Sequence, residues 1–203
     1  MKSIIQADLN PDIYYPLETV VGEDGKLRVG GTPPQGIIPK LNNARYFATL
    51  SLKQSDELQI SVFLCFGFDT MFDEAFRIVG SEDALVEIVA HKYARRGDSA
   101  QFRSELSPCD LKVLEGKKED RAAPYGYSKL GGCPFLIREK NNLSTQIAGM
   151  LSGGFVHHTQ LAFPLTGDVL HSGNWPFADG IFHLFVKQQQ SSFDWRCFWQ
   201  YES

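Results

Sequence analysis

The chain has 203 residues, 43% hydrophobic and 22% charged, with a formal net charge of −4. That length supports a sizeable core in one domain or two packed halves. The mildly acidic balance speaks against a phosphate-backbone binder, whose affinity needs clustered Lys and Arg, and no apolar run approaches the roughly 18 residues of a membrane helix.

Residues 1–27 are irregular, punctuated by Pro11, Pro16 and the turn Gly22-Glu23-Asp24-Gly25. Met1 to Asn10 lacks the apolar core of a secretory leader. Cys65, Cys109, Cys133 and Cys197 form no Cys-x-x-Cys pair. Four reduced thiols and a cytoplasmic location are therefore expected. Ile13-Tyr14-Tyr15 reads as a short strand or a packing arm. Then comes Arg28-Val29-Gly30-Gly31-Thr32-Pro33, where two glycines allow positive φ and the proline holds an extended exit. Without a following Gly-Lys-Ser/Thr it is a turn leading a strand, not a Walker-type phosphate loop.

Residues 45–52 and 57–68 read as a hairpin. In the second strand Leu58, Ile60, Val62, Leu64 and Phe66 share one face, and Gln59, Ser61, Phe63 and Cys65 the other. Residues 69–79 switch to a three-and-four spacing, with Asp69 as N-cap, which predicts a short helix. Asp69, Asp73, Glu74, Glu82 and Asp83 are five carboxylates within fifteen residues, countered only by Arg77. They form either a solvated face with helix-start acids or a docking patch for a basic partner. Residues 84–92 read as a strand, 93–98 as a loop, and 99–106 as one or two helical turns with Phe102 and Leu106 inward. Leu111 to Leu114 is a strand. The charged run Lys117 to Arg121, with Ala122-Ala123-Pro124, marks a boundary between halves at about 1–120 and 121–203.

The second half repeats the theme. Ser128-Lys129-Leu130-Gly131-Gly132-Cys133-Pro134 leads into an ambiguous stretch, 141–155, where a helical stripe of Leu143, Ile147, Met150 and Leu151 competes with Gly149, Gly153 and Gly154. Residues 156–165, 181–186 and 193–201 read as strands around a loop at 167–178. Both halves thus run Gly-Gly-x-Pro, strand, strand, which suggests a duplicated β unit. The fold class expected is α+β and β-rich: large curved, mostly antiparallel sheets from two related β units, with a few short helices, in a single domain.

The set of Lys-Leu-Gly-Gly-x-Pro, Gln160-Leu161-Ala162-Phe163, Trp175-Pro176 and Asp179-Gly180-Ile181-Phe182-His183-Leu184-Phe185 resembles the YwqG-like bacterial family, best over 125–190 and more weakly over 28–66. The resemblance implies curved antiparallel sheets from a pseudo-duplicated unit and brings no catalytic residues. Domains like it also occur in bacterial toxin-neutralising settings.

Chemistry is sparse. His157, His158, His171 and His183 lie near Asp168 and Asp179, but adjacent histidines on a strand face opposite ways and no His-Glu-x-x-His occurs, so no metal is expected. No Gly-x-Ser-x-Gly is present; Cys133, after Gly-Gly, is the most suggestive thiol, with His157 or His158 as a conceivable base. Trp175 either plugs the end of a sheet or anchors a partner. The functional expectation is a non-enzymatic immunity protein without cofactor that binds a cognate basic toxin, possibly a nuclease effector, through Asp69, Asp73, Glu74, Glu82, Asp83 and Trp175, with no direct contact to nucleic acid or membrane. The alternative is a small-ligand binder or enzyme with a pocket between the two β units, Cys133 and the histidines at its rim.

Overall fold

Period-two runs of β-branched and aromatic residues become the longer strands. The computed structural model describes residues 12–20, 26–51, 58–68, 78–118, 127–137, 142–162, 165, 173, 175–177, 180–189 and 192–200. The strands are β1 (Ile13–Val20), β2 (Leu27–Val29), β3 (Arg45–Ser51), β4 (Leu58–Leu64), β5 (Val79–Gly80), β6 (Val86–Lys92), β7 (Cys109–Val113), β8 (Lys117–Lys118) and β9 (Lys129–Gly131). After the helix α1 (Leu143–Ser152) follow β10 (Val156–Ala162), β11 (Ile181–Gln188) and β12 (Phe193–Gln200).

All strand pairings among the described residues are antiparallel. One sheet runs β5-β12-β11-β10-β9-β1-β7-β2-β3-β4-β6, with β8 beside β1. Its end strands, β5 and β6, are separated in sequence only by residues 81–85, so the sheet curls until it nearly closes. The interior is one core drawn from both halves: Leu17, Val29, Phe47, Leu50, Ile60 and Val62 meet Phe182, Leu184, Val186, Trp195 and Trp199. The expected faces of β4 hold, but both are covered. Leu64, Val62 and Ile60 point into the core, while Gln59, Ser61 and Phe63 are equally buried on the outer side. Phe102 and Ala44, from flanking loops, pack there on Tyr46 and Phe63. On the second half Leu143 and Ile147, four apart on α1, cover Phe185 and Phe198.

Several elements differ from expectation. β1 is a full strand between β9 and β7, although it contains Pro16. Pro16 lacks a ladder donor, but its carbonyl still accepts from the Leu114 N–H at 2.9 Å. Val79, expected to end a helix, lies in β5, and residues 69–77 of that helix fall outside the described residues. Residues 99–106 form bends and a turn, with Phe102 and Leu106 inward as expected. Lys117 and Lys118, read as linker, pair with β1. The ambiguous stretch resolves as α1, stopped at Gly153, whose N–H bonds the Gly149 carbonyl at 2.9 Å. Gly30, Gly31, Gly131 and Gly132 all have φ between 66° and 75°, the conformation for which glycine is suited. No helix among the described residues is long and apolar enough to cross a membrane.

Gly180 opens β11 against the end of β12. A Cβ there would lie 1.9 Å from the Gln200 carbonyl oxygen and 2.6 Å from that of Phe177. Both obstacles are backbone, so Gly180→Ala is expected to cost about 3 kcal/mol or more. Gly149, inside α1 with nothing within 4 Å of its Cβ position, is the control: Gly149→Ala should gain about 0.5–1 kcal/mol. Urea midpoints moving the same way for both substitutions would refute the contact argument.

Candidate functional site

Where the sheet nearly closes it leaves a cleft of about 510 Å³. One wall is β6, with Val86, Ile88 and Ala90; another is the turn Ser81–Ala84; Lys40 and Leu41 contribute from the outer loop, and Trp195 of β12 forms the apolar floor at 5% exposure. The turn is built by Asp83. Its carboxylate accepts the Gly80 N–H at 2.9 Å, and its own N–H donates to the Gly80 carbonyl at 3.0 Å. Glu82 stands exposed beside Arg196 at 3.7 Å, and Arg196 also bonds Asp194 at 3.0 Å. The Glu87 carboxylate accepts the backbone N–H groups of Lys40 at 2.8 and 2.9 Å and of Leu41 at 3.1 Å, tying the outer loop to β6. Three carboxylates thus line the cleft against one lysine, Lys40.

Of the predicted contact residues, Glu82 and Asp83 come together here, while Asp69, Asp73 and Glu74 lie outside the described residues. Trp175 is in the core at 6% exposure, with its ring 5.4 Å from that of Phe47 and its indole N–H donating to the Gly180 carbonyl at 3.2 Å. Glu87 and Trp195 were expected only as members of their strands, not of a site. A lone carboxylate in the apolar run Ala84 to Ala90 was the available signal for the first; nothing local distinguishes the second from other strand aromatics.

Two buried polar clusters lie on the outer side of the sheet, each beside a Gly-Gly turn. In the first half Arg28 is fully buried. Its Nη2 donates to the Ala94 carbonyl at 2.8 Å, while Nε and Nη1 meet no partner among the described residues. Nearby, His91 Nδ1–H donates to the Lys92 carbonyl at 2.6 Å, which leaves Nε2 to accept from Ser61 at 2.9 Å. Ser61 in turn accepts from Thr49 at 2.9 Å, and Thr49 from the Tyr46 hydroxyl at 2.8 Å. Burial raises the Tyr46 pKa and lowers that of His91, so both stay neutral.

In the second half the buried cation is Lys129, held over the rings of Tyr14 and Tyr127 at 5.2 and 5.7 Å. His157 Nδ1–H faces the carbonyls of Gly131 and Gly132 at 3.2 and 3.1 Å, so its Nε2 accepts from His183 Nδ1–H at 3.5 Å. His183 stacks on Phe198 at 4.5 Å, and its Nε2 has no partner among the described residues. Burial, and next the charge of Lys129, push His157 down to about 3; burial pushes His158 to about 4. A bulge between His157 and Thr159 does bring the two histidines into an irregular stretch. Among the described residues, however, no group of three or more His, Cys, Asp or Glu is placed to hold a metal ion. None of these histidines, nor Cys133, lines the cleft. Burial pushes the thiols of Cys65 and Cys109 up to about 11 and that of Cys197 further still, which keeps them protonated and unreactive.

The chain matches no family model, no curated protein and no solved structure.

Proposed function

We propose that this is a non-enzymatic protein-binding domain of the YwqG-like kind, an immunity protein that neutralises a cognate basic toxin in the cytoplasm by direct contact. The observation that carries the reading is the cleft where the sheet nearly closes: Glu82, Asp83 and Glu87 around an apolar floor. A toxin that acts on nucleic acid presents a basic face, and an acidic inhibitor gains on-rate and specificity by complementing it. The duplicated β unit belongs to the same proposal. Outward from each Gly-Gly turn the strands follow chain order, β2-β3-β4-β6 and β9-β10-β11-β12. β3 and β10 each carry a bulge, and Arg28 and Lys129 occupy equivalent positions in β2 and β9.

The test is a pull-down from native lysate at low and high salt, with the wild type and a Glu82→Gln/Asp83→Asn variant that keeps the hydrogen bonds of the turn. We expect one stoichiometric basic partner, captured about tenfold more weakly by the variant and with a shallower salt dependence. Equal capture of that partner by both proteins at both salts would remove the cleft acids from the contact. A second reading is favoured by the cleft volume, which suits a small ligand; a metabolite that raises the thermal midpoint, in the absence of any captured partner, would select it.

A further inference from the structure

We propose that the outer edge of β6 takes up an extended, basic segment of a partner protein as an added strand across the cleft. The inference rests on the protein-binding reading above and specifies its chemistry.

β6 pairs with β4 along its whole length, from Leu58↔Lys92 to Leu64↔Val86, without a register break. The Cys65 N–H donates to the Leu85 carbonyl at 2.9 Å. In an antiparallel ladder the residues that exchange bonds alternate. Residues 85, 87, 89 and 91 therefore turn their backbone groups toward β4. Those of Val86, Ile88, Ala90 and Lys92 point the opposite way, and no strand among the described residues pairs with that side. Val86, Ile88 and Ala90 are cleft residues. A row of backbone donors and acceptors about 20 Å long therefore borders a cavity. β5, at the other end of the sheet order, is only two residues long and does not close it.

The side chains define the guest. Val86 and Ile88 lie on the core side of β6 with Trp195, and Glu87 lies on the opposite side. A guest strand alternates likewise, so it presents apolar residues to the Trp195 side and cationic ones to the outer side, where Glu87, already holding the Lys40 and Leu41 N–H groups, keeps its charge and Glu82 and Asp83 stand at the rim. A second copy of this chain, paired antiparallel through β6, would set Val86 against Lys92 and Glu87 against His91; sedimentation separates that occupant from a basic partner segment. A small metabolite cannot span such a row of backbone groups.

The probe is a Lys-Val-Lys-Val-Lys-Val-Lys peptide, its Glu-Val counterpart, and the Lys-Val peptide N-methylated at alternate residues. The protein is used full length, as wild type and Ala90→Pro. Proline at that exposed edge position removes an N–H that points away from β4 and pairs with no strand among the described residues. We expect the Lys-Val peptide to slow exchange of the Ile88 and Ala90 amides at least tenfold, in a salt-sensitive way. N-methylation and Ala90→Pro should each weaken binding at least tenfold while the thermal midpoint of the variant stays put, and the Glu-Val peptide should not bind. No protection at about 1 mM peptide overturns the proposal. So does binding that N-methylation and Ala90→Pro leave unchanged, or a dimer in sedimentation that Ala90→Pro dissolves. If a lysate partner is captured in a manner sensitive to Glu82→Gln/Asp83→Asn but not to Ala90→Pro, strand addition fails and the protein-binding reading stands. Insensitivity to both sets removes both.

Discussion

Lowering the pH from 7 to 5 is expected to remove on the order of 5 kcal/mol of stability through three buried histidines alone. His157, His158 and His183 are each 4% exposed or less, and burial holds all three below the ordinary value of 6.5: His157 at about 3, His158 at about 4, His183 well below. The folded protein keeps them neutral, whereas the unfolded chain protonates them as the pH falls past 6.5. Stability rises with pH wherever the unfolded state binds more protons, so it is full above 6.5 and drains away from there toward pH 4, below which His158 begins to charge in the fold as well. The limiting slope is about 4 kcal/mol per pH unit for the three together. Set against a total of about 5–15 kcal/mol for an ordinary domain, that is enough to unfold the protein in mild acid. The measurement is the urea midpoint at half-unit steps from pH 8 to pH 4.5. His183→Leu removes the ring whose Nε2 has no partner and should flatten the slope by about a third. A midpoint that stays level between pH 7 and pH 5 would show that the histidines charge without penalty, and the neutral tautomers assigned above would be wrong.

The same residues mark where sequence reasoning stops. Alternation located β3, β4, β11 and β12, because period two is a local property and survives in any context. It could not tell that Gln59 and Ser61, on the polar side of β4, are as buried as Ile60 on the other. That depends on Phe102 and Ala44 arriving from loops elsewhere in the chain. The burial of the strand histidines is hidden for the same reason: nothing near His183 in sequence announces Lys129 or α1. β1 was obscured by Pro16, a fair signal against a central strand, which is tolerated because Pro16 still sits opposite Lys129 and its carbonyl accepts the Leu114 N–H. The cleft was half legible. Glu82 and Asp83 stood out as part of an acidic run, but the cavity they border exists only because residue 195 returns beside residues 81–90. That closure is set by the strand order of the whole sheet, and no window of sequence contains it.

Trp175→Ala is expected to cost about 3–5 kcal/mol of folding stability and to leave partner affinity untouched once the folded fraction is allowed for. A tryptophan beside a proline in a polar loop has the composition of an interface anchor, so the two roles must be separated by geometry. Phe47 of β3 is the centre of the packing: Trp175, Phe177 and Phe182 meet its ring at 5.4, 5.3 and 5.4 Å, all near edge-to-face. Phe177 continues the contact to Trp199 at 5.5 Å. Trp175 and Phe177 thus bring a loop of the second half onto a strand of the first, and truncating the indole removes its contact with Phe47 and leaves a void in the core. Trp175→Phe keeps a ring but loses the bond to the Gly180 carbonyl and part of the volume, so it should fall between, at about 1–2 kcal/mol. Chemical unfolding gives the stability of each variant, and titration with the captured partner at low temperature gives its affinity. A hot-spot residue would show the opposite pattern, with an unfolding midpoint near wild type and affinity down by two orders of magnitude. The buried indole and the exposed Glu82 therefore make contrary predictions in the same pair of assays: the first moves stability alone, the second binding alone.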